Sequence, residues 1–230
     1  MRSLVIILLL ITSTIGSAQD SYQADRMDMV KYQIEGRGVR DEATLRSMRE
    51  VPRHLFVPEK LQSSGYEDSP LPIGYGQTIS QPYIVAYMTQ ALELGKDDVV
   101  LEIGTGSGYQ AAVLAKMVKE VHTIEIVEEL ARSAKERLQQ LDYDNVNVYH
   151  RDGYHGLKDF APFDGIMVTA AAEYIPPPLV DQLKEGCKMI IPVGSPYFVQ
   201  QLVIVTKRDG KVKTRNVMPV RFVPFTRMDQ

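Results

Sequence analysis

Val99-Val100-Leu101-Glu102-Ile103-Gly104-Thr105-Gly106-Ser107-Gly108-Tyr109-Gln110 is the stretch whose reading decides the fold. An apolar, β-branched run meets three alternating glycines and then the start of an apolar-faced helix, which is a strand–turn–helix pattern. Glycines let a backbone approach a ligand closely and adopt positive φ. The spacing is G-x-G-x-G and not the G-x-G-x-x-G of dinucleotide enzymes. On its own such a loop is also compatible with a plain tight βα turn.

Outward from this loop the pattern alternates. Strands are expected at Val99–Ile103, Val121–Ile126, Val146–His150, Gly165–Thr169 and Lys188–Val193, and helices at Tyr109–Val118, Glu128–Leu141 and Pro178–Leu183. Short apolar runs between amphipathic helices predict an α/β fold with a doubly wound, mostly parallel, Rossmann-like sheet. The tail changes character. Gln201–Lys207 and Val212–Phe225 are strand-like, with Asp209-Gly210 as a turn.

Upstream, Asp20–Ile34 and Asp41–Arg49 read as helices, the second capped by Asp41. Val51–Pro58 is bracketed by prolines and is expected to be extended or turn-like. Ser64–Ile79, rich in Gly, Pro and Tyr, reads as a long ordered loop of the kind that carries function. Ser80 is expected to cap a helix running to about Leu94, with Pro82 in its first turn.

Bulk properties narrow the possibilities. The chain has 230 residues, 44% hydrophobic and 24% charged, with a net charge of −3. These values suit one globular domain and carry no signal for a nucleic-acid partner. One cysteine, Cys187, and four scattered histidines leave neither an internal disulfide nor a metal-ligand spacing, so no metal is expected. Arg2, the apolar run from Leu4 to Ile11 and Gly16-Ser17-Ala18 read as a secretory signal peptide over residues 1–18. Export, for example to a periplasm, is therefore expected if that signal is used; the alternative is a cytoplasmic protein whose translation starts at Met27 or Met29. After leader cleavage no stable membrane association is expected.

The glycine loop resembles the first motif of the S-adenosylmethionine methyltransferases. Glu125 ends the next strand, about 20 residues on, where an acidic group can accept hydrogen bonds from ribose hydroxyls. Asp152, with Gly153 beside it, follows the third strand and is placed to bond an adenine amino group. Glu102 reads either as a ligand for the methionine amine or as a group behind it. Glu102, Gly104, Thr105, Gly106, Gly108, Glu125, Asp152 and Gly153 form the expected cofactor set.

The acceptor side centres on Thr78-Ile79-Ser80-Gln81-Pro82. Ser80 either only caps its helix or steadies an anion at the helix's positive end. A wider pattern bears on this choice. Val51–Pro58, Tyr66–Tyr83, Leu101–Ala111, Phe163–Ala171, Pro177–Gly194 and Val220–Phe225 closely resemble the protein-L-isoaspartate O-methyltransferases. The likeness extends from about Met29 to Phe225, and Leu71–Pro82 is its most specific part. One departure is Cys187, where the family commonly has a second glycine; it is expected to lie at a turn.

That resemblance implies an S-adenosylmethionine-dependent enzyme that methylates the free α-carboxylate of L-isoaspartyl residues in damaged proteins and peptides. It makes Ser80 the catalytic residue, with Thr78 and Ile79 beside the acceptor and Thr169 and Ala170 near the transferring methyl. Val220, Arg221, Phe222 and Val223 become a strand that holds the substrate peptide by main-chain bonds. Residues 19–230 are then one domain, expected to be monomeric, with a substrate-side region at 19–95, a cofactor-binding core at 96–195 and C-terminal strands at 196–230. The competing readings are a methyltransferase for another small carboxylate or nucleophile, and a non-catalytic cofactor-binding protein of the same fold. The chemistry agrees with the composition. A carboxylate, with a reference pKa near ~4, is already ionised at neutral pH and needs no general base. Positioning two reactants can supply on the order of 7–11 kcal/mol.

Overall fold

The computed structural model describes residues 21–228; the expected leader at residues 1–18 lies outside them. Two short helices open the described chain, α1 at Gln23–Asp28 and α2 at Glu42–Glu50, followed by the hairpin β1 Leu71–Gly74 and β2 Gln77–Ile79. Then come α3 Pro82–Ala91, β3 Val99–Ile103, α4 Tyr109–Ala115, β4 Glu120–Glu125, α5 Glu128–Gln140, β5 Val146–His150 and β6 Phe163–Val168. α6 Pro177–Gln182, β7 Leu183–Val193, β8 Gln200–Arg208 and β9 Lys211–Val220 complete it.

The large sheet has seven strands in the order β5-β4-β3-β6-β7-β8-β9. β3 to β7 run parallel, whereas β8 and β9 are antiparallel additions. β3 therefore lies between β4 and β6, and chain order reverses there. In open α/β sheets that reversal leaves a crevice at the carboxyl ends of the strands.

Both faces of the sheet are covered, and the strands alternate between two cores. Leu101, Ile103, Ile166 and Ile191 face the side where Leu157 and Leu179 pack. Val100, Met167, Ile190 and Ile204 face the opposite side, against Met88 of α3 and Leu114 of α4. This is the period-2 placement of a strand buried on both faces. The N-terminal region forms a third core with the sheet's helices, in which Met29, Ile34, Met48 and Phe56 pack with Tyr109 and Leu138.

Several local expectations change in physical detail. The Asp41 cap is present, since its carboxylate accepts from the Thr44 N–H at 2.7 Å. The first helix is shorter than expected and passes into a π-helical turn at Met29–Ile34. Pro52 and Pro58 hold Val51 and Val57 extended, yet the residues between are free and form a 3₁₀ turn at Arg53–Phe56. The long loop contains a hairpin that Pro70 and Pro72 disguise. Its turn uses Gly74, Tyr75 and Gly76, all at positive φ. The helix after it starts later than expected. Gln81 precedes a proline and cannot be helical, so it takes the N-cap position, at φ −51 and ψ 139, and Ser80 falls outside the helix.

At the far end, Asp209 and Gly210 both have positive φ, as a two-residue hairpin turn requires. β9 ends at Val220, short of the expected Phe225, and forms one edge of the sheet with Lys211 to Asn216 exposed. Cys187 lies within β7, next to a positive-φ glycine at Gly186, and not at a turn between elements. Burial pushes its thiol above the ordinary range. His122 is buried against Phe160 and Tyr149 and serves as a packing residue.

Phe56 ties the N-terminal region to the sheet's helices, edge-on to Tyr109 at 5.5 Å and to Tyr143 at 6.5 Å. Phe56→Ala is expected to lower unfolding stability by about 3–5 kcal/mol, read from denaturant midpoints at unchanged slope.

Candidate active site

The glycine loop is built on hydrogen bonds to its neighbours. The N–H groups of Gly104 and Thr105 both donate to the Ile124 carbonyl, at 2.8 and 3.1 Å. Gly104 has φ +99, and a Cβ there would meet the Thr169 hydroxyl at 2.3 Å. That hydroxyl shares its one proton between the carbonyls of Ile103 and Gly104, at 3.0 and 2.8 Å, lacing the ends of β3 and β6 together. Gly153 is needed for closeness of another kind, because a Cβ would lie 2.4 Å from Ile103 Cγ2. Gly108, at φ 88, caps α4 and does not line the cleft.

These residues bound a cleft of about 550 Å³, lined by Gly104, Gly106, Glu125, Gly153, Thr169 and Ala170 together with Ile103, Ile124 and Ile126. Apolar walls around one strand-end carboxylate suit a nucleoside, with a flat base and vicinal hydroxyls, and so fit the expected cofactor. Glu125 is buried, and its oxygens accept backbone N–H groups from Gly106 at 2.7 Å, Ile126 at 2.9 Å and Val127 at 3.0 Å. A carboxylate has about four acceptor sites. Oε2, bonded only by Gly106, retains room for a ribose hydroxyl.

Of the expected cofactor set, Glu102, Thr105, Gly108 and Asp152 do not line the cleft. Glu102 is fully buried beneath the loop and does not line the cleft. Its Oε2 accepts from Thr123, which in turn is 2.7 Å from the Thr105 hydroxyl, and its Oε1 has no partner. Burial pushes its carboxyl up to about 8, the Thr123 hydrogen bond opposing and the Glu125 charge adding. Of the two readings left open for Glu102, the group behind the cleft wall is the one the geometry matches. Thr105 faces a smaller recess between the loop and Ser80. Asp152 is already engaged: Oδ1 accepts the Tyr154 N–H, and Oδ2 pairs with Arg227 at 2.7 Å. Burial alone would raise the Asp152 pKa, but the Arg227 and Tyr154 bonds outweigh it and hold the carboxyl below its ordinary value.

A second, open groove of about 990 Å³ adjoins the first, lined by Thr78, Ser80, Thr169, Val220, Arg221 and Phe222 among others. The two cavities share Thr78, Thr169 and Val223. Ile79 is buried and lines the smaller recess beside Ser80. Since Gln81 occupies the cap position, the Ser80 hydroxyl is not spent on the helix and has no intramolecular partner among the described residues. Of the substrate strand, the Phe222 N–H is already donated to Gln200 Oε1 at 2.9 Å, so it is not available to a peptide.

Sequence reasoning missed three residues. Arg53 is fully buried; its Nε donates to the Gly65 carbonyl at 2.7 Å and its Nη2 to the Ser80 carbonyl at 2.8 Å. Its guanidinium stacks 4.8 Å from the Tyr109 ring centre, and burial lowers its pKa from the ordinary value. A charged residue inside the apolar Val51–Pro58 segment was the available signal. Arg227 gave no local signal because its partner lies 75 positions away. Gln200, only 1% exposed, reads in sequence as an ordinary strand residue.

Glu102 yields a prediction with a definite sign. Unfolded it titrates near 4.5 and folded near about 8, so between these values the folded chain holds a proton that the unfolded chain lacks. The associated stability is complete below the lower value and lost as pH rises through the upper one. Relative to Glu102→Gln, the wild-type melting temperature should fall steadily from about pH 5 to about pH 8.

Residues 24–230 match the protein-L-isoaspartate(D-aspartate) O-methyltransferase family. The chain is 55% identical over 236 residues to protein-L-isoaspartate O-methyltransferase 2 of Syntrophobacter fumaroxidans, spanning 97% of this chain and 95% of that relative. It is 56% identical over 227 residues to protein-L-isoaspartate O-methyltransferase of Opitutus terrae, spanning 98% and 97%. A Plasmodium falciparum crystal structure described as such an enzyme, in complex with S-adenosyl-L-homocysteine, superposes with a TM-score of 0.77 at 28% identity, over 87% of this chain and 98% of that one. A further protein-L-isoaspartate O-methyltransferase structure gives a TM-score of 0.78 at 29% identity, over 86% and 65%. Sequence and fold agree over nearly the whole length, and the chain belongs to the protein-L-isoaspartate O-methyltransferase family.

Proposed function

We propose that this chain transfers a methyl group from S-adenosylmethionine to the free carboxylate of L-isoaspartyl residues in damaged proteins and peptides. Family membership supports the reaction. The observation that carries it to this chain's own residues is that the nucleoside-shaped cleft and the open groove meet at Thr78, Thr169 and Val223, with Ser80 on the groove side. When bound, S-adenosylmethionine supplies an electrophilic methyl on a positively charged sulfur.

The protein's part is to hold and to exclude. Ser80 donates a hydrogen bond to one oxygen of the acceptor carboxylate and leaves the other free to attack. A neutral hydroxyl suits this task, because a cationic donor would stabilise the anion and slow its attack. Arg53 fixes the Ser80 main chain from behind through the carbonyl. Thr169 keeps the wall between the cavities closed through its bonds to β3. The segment after β9 crosses the cleft as a strap, exchanging backbone bonds with Ala171 through Val223 and Phe225 at 2.8 and 2.9 Å. Removing water there favours a reaction in which opposite charges cancel. The acceptor is ionised at neutral pH, so no base is required. A monomer suffices for this arrangement, since both cavities are lined by one chain.

Ser80→Ala is expected to lower kcat/KM on an isoaspartyl peptide by about tenfold or more, at unchanged cofactor affinity. A loss within about threefold would remove Ser80 from the mechanism. The matched aspartyl peptide should not be methylated, and equal turnover of both would point to a general carboxyl methyltransferase. Arg227 latches the strap to Asp152 and covers the Tyr154 ring at 3.9 Å. Arg227→Ala should speed cofactor release about two- to fivefold, measured by stopped flow, as loss of a half-exposed ion pair implies. The Leu4–Ala18 segment supports export, and a mature protein beginning at Gln19 would bear this out. Retention of residues 1–18 would favour the cytoplasmic alternative.

A further inference from the structure

The turn between β7 and β8 places three large apolar residues in a row at the surface: Tyr197 is 88% exposed, Phe198 71% and Val199 49%. Leaving such side chains in water forgoes the stabilisation that their burial would give. The turn is nevertheless held in shape. The buried Gln200 donates from Nε2 to the carbonyls of Ser195 and Phe198, at 3.1 and 3.0 Å. Its Oε1 accepts from the Phe222 N–H. The Phe198 N–H closes the turn on the Ser195 carbonyl at 3.2 Å. One buried amide therefore joins the apolar tip to the main chain at Phe222, a wall of the substrate groove.

The tip reaches that groove through Val199, which lines it together with Ser80 and Phe222. Phe198 and Tyr197 directly precede Val199 in the chain. An extended chain advances about 3.3 Å per residue, so two to three residues span roughly 7–10 Å. A polypeptide with its isoaspartyl carboxylate at Ser80 then carries a side chain two to three positions away onto the tip.

We infer that Tyr197, Phe198 and Val199 form an apolar subsite for the substrate polypeptide, so that the enzyme selects isoaspartyl sites flanked by a large apolar side chain. This rests on the isoaspartyl reading above and specifies its substrate class. Such a subsite acts on encounter and hold, and it should appear mainly in KM.

The test uses the full chain and isoaspartyl peptides differing only in leucine or serine at two to three positions on either side of the isoaspartyl residue. Wild type should favour a leucine peptide by about tenfold in kcat/KM, the scale of partly burying one apolar side chain. A double variant, Tyr197→Ser with Phe198→Ser, should treat the peptides alike, and Phe198→Leu should keep the preference. Cofactor affinity and circular dichroism establish that the variants fold. Equal wild-type rates on both peptides, or a preference that survives in the double variant, would overturn the inference and leave the isoaspartyl reading standing. No turnover of any isoaspartyl peptide by cofactor-binding protein would instead sink that reading itself. Intact discrimination in the double variant, with a halved sedimenting mass or lost flotation with phosphatidylcholine–phosphatidylglycerol vesicles, would assign the tip to a second copy or a lipid surface and also overturn the inference.

Discussion

The seam between β3 and β6 is the constraint on which the site depends. Thr169 sends both its N–H and its hydroxyl across it, to the carbonyls of Ile103 and Gly104. These bonds close the point where strand order reverses and where two parallel strands would otherwise part. They also make Thr169 a wall of both cavities. Gly104 is required because the hydroxyl already occupies the space of any Cβ. One threonine thus fixes the sheet, the loop and the place where the two cavities meet.

The N-terminal region uses the same economy. Its helices pack on α4 and α5 through Phe56 and Met48, and the packing encloses a guanidinium. Burying a charge is costly unless it is paired or hydrogen-bonded. Arg53 offsets that cost with two backbone carbonyls and an aromatic face, and one of those carbonyls belongs to Ser80. A residue that resembles a structural liability is thereby tied to Ser80 at the groove.

The sheet and its cofactor edge were legible because they rest on local signals. The apolar run before Gly104, the alternating glycines and an acid at the next strand end all lie within a few residues of what they determine. The boundaries that shifted were set by less local effects. Proline at 82 displaced the cap from Ser80 to Gln81, and prolines at 70 and 72 hid the β1–β2 hairpin. The places of Glu102 in its strand and of Asp152 after the third strand do not reveal that one is buried behind the cleft and the other is held by Arg227. The Gln200 bonds and the Arg53 bonds join segments that only the folded chain brings together.

The exposed edge at β9 bears on a problem that peptide-handling enzymes share. A strand with free N–H and C=O groups will pair with any extended chain, another copy of its own included. Here Lys211, Lys213 and Arg215 stand along the outer stretch of that edge, while Val220 at its far end is uncharged and nearly buried. Two such rims brought side by side would set cation against cation, which deters stacking into fibrils. The uncharged end, where Val220 borders the groove, lies apart from that cationic stretch, so what deters self-association sits away from the groove.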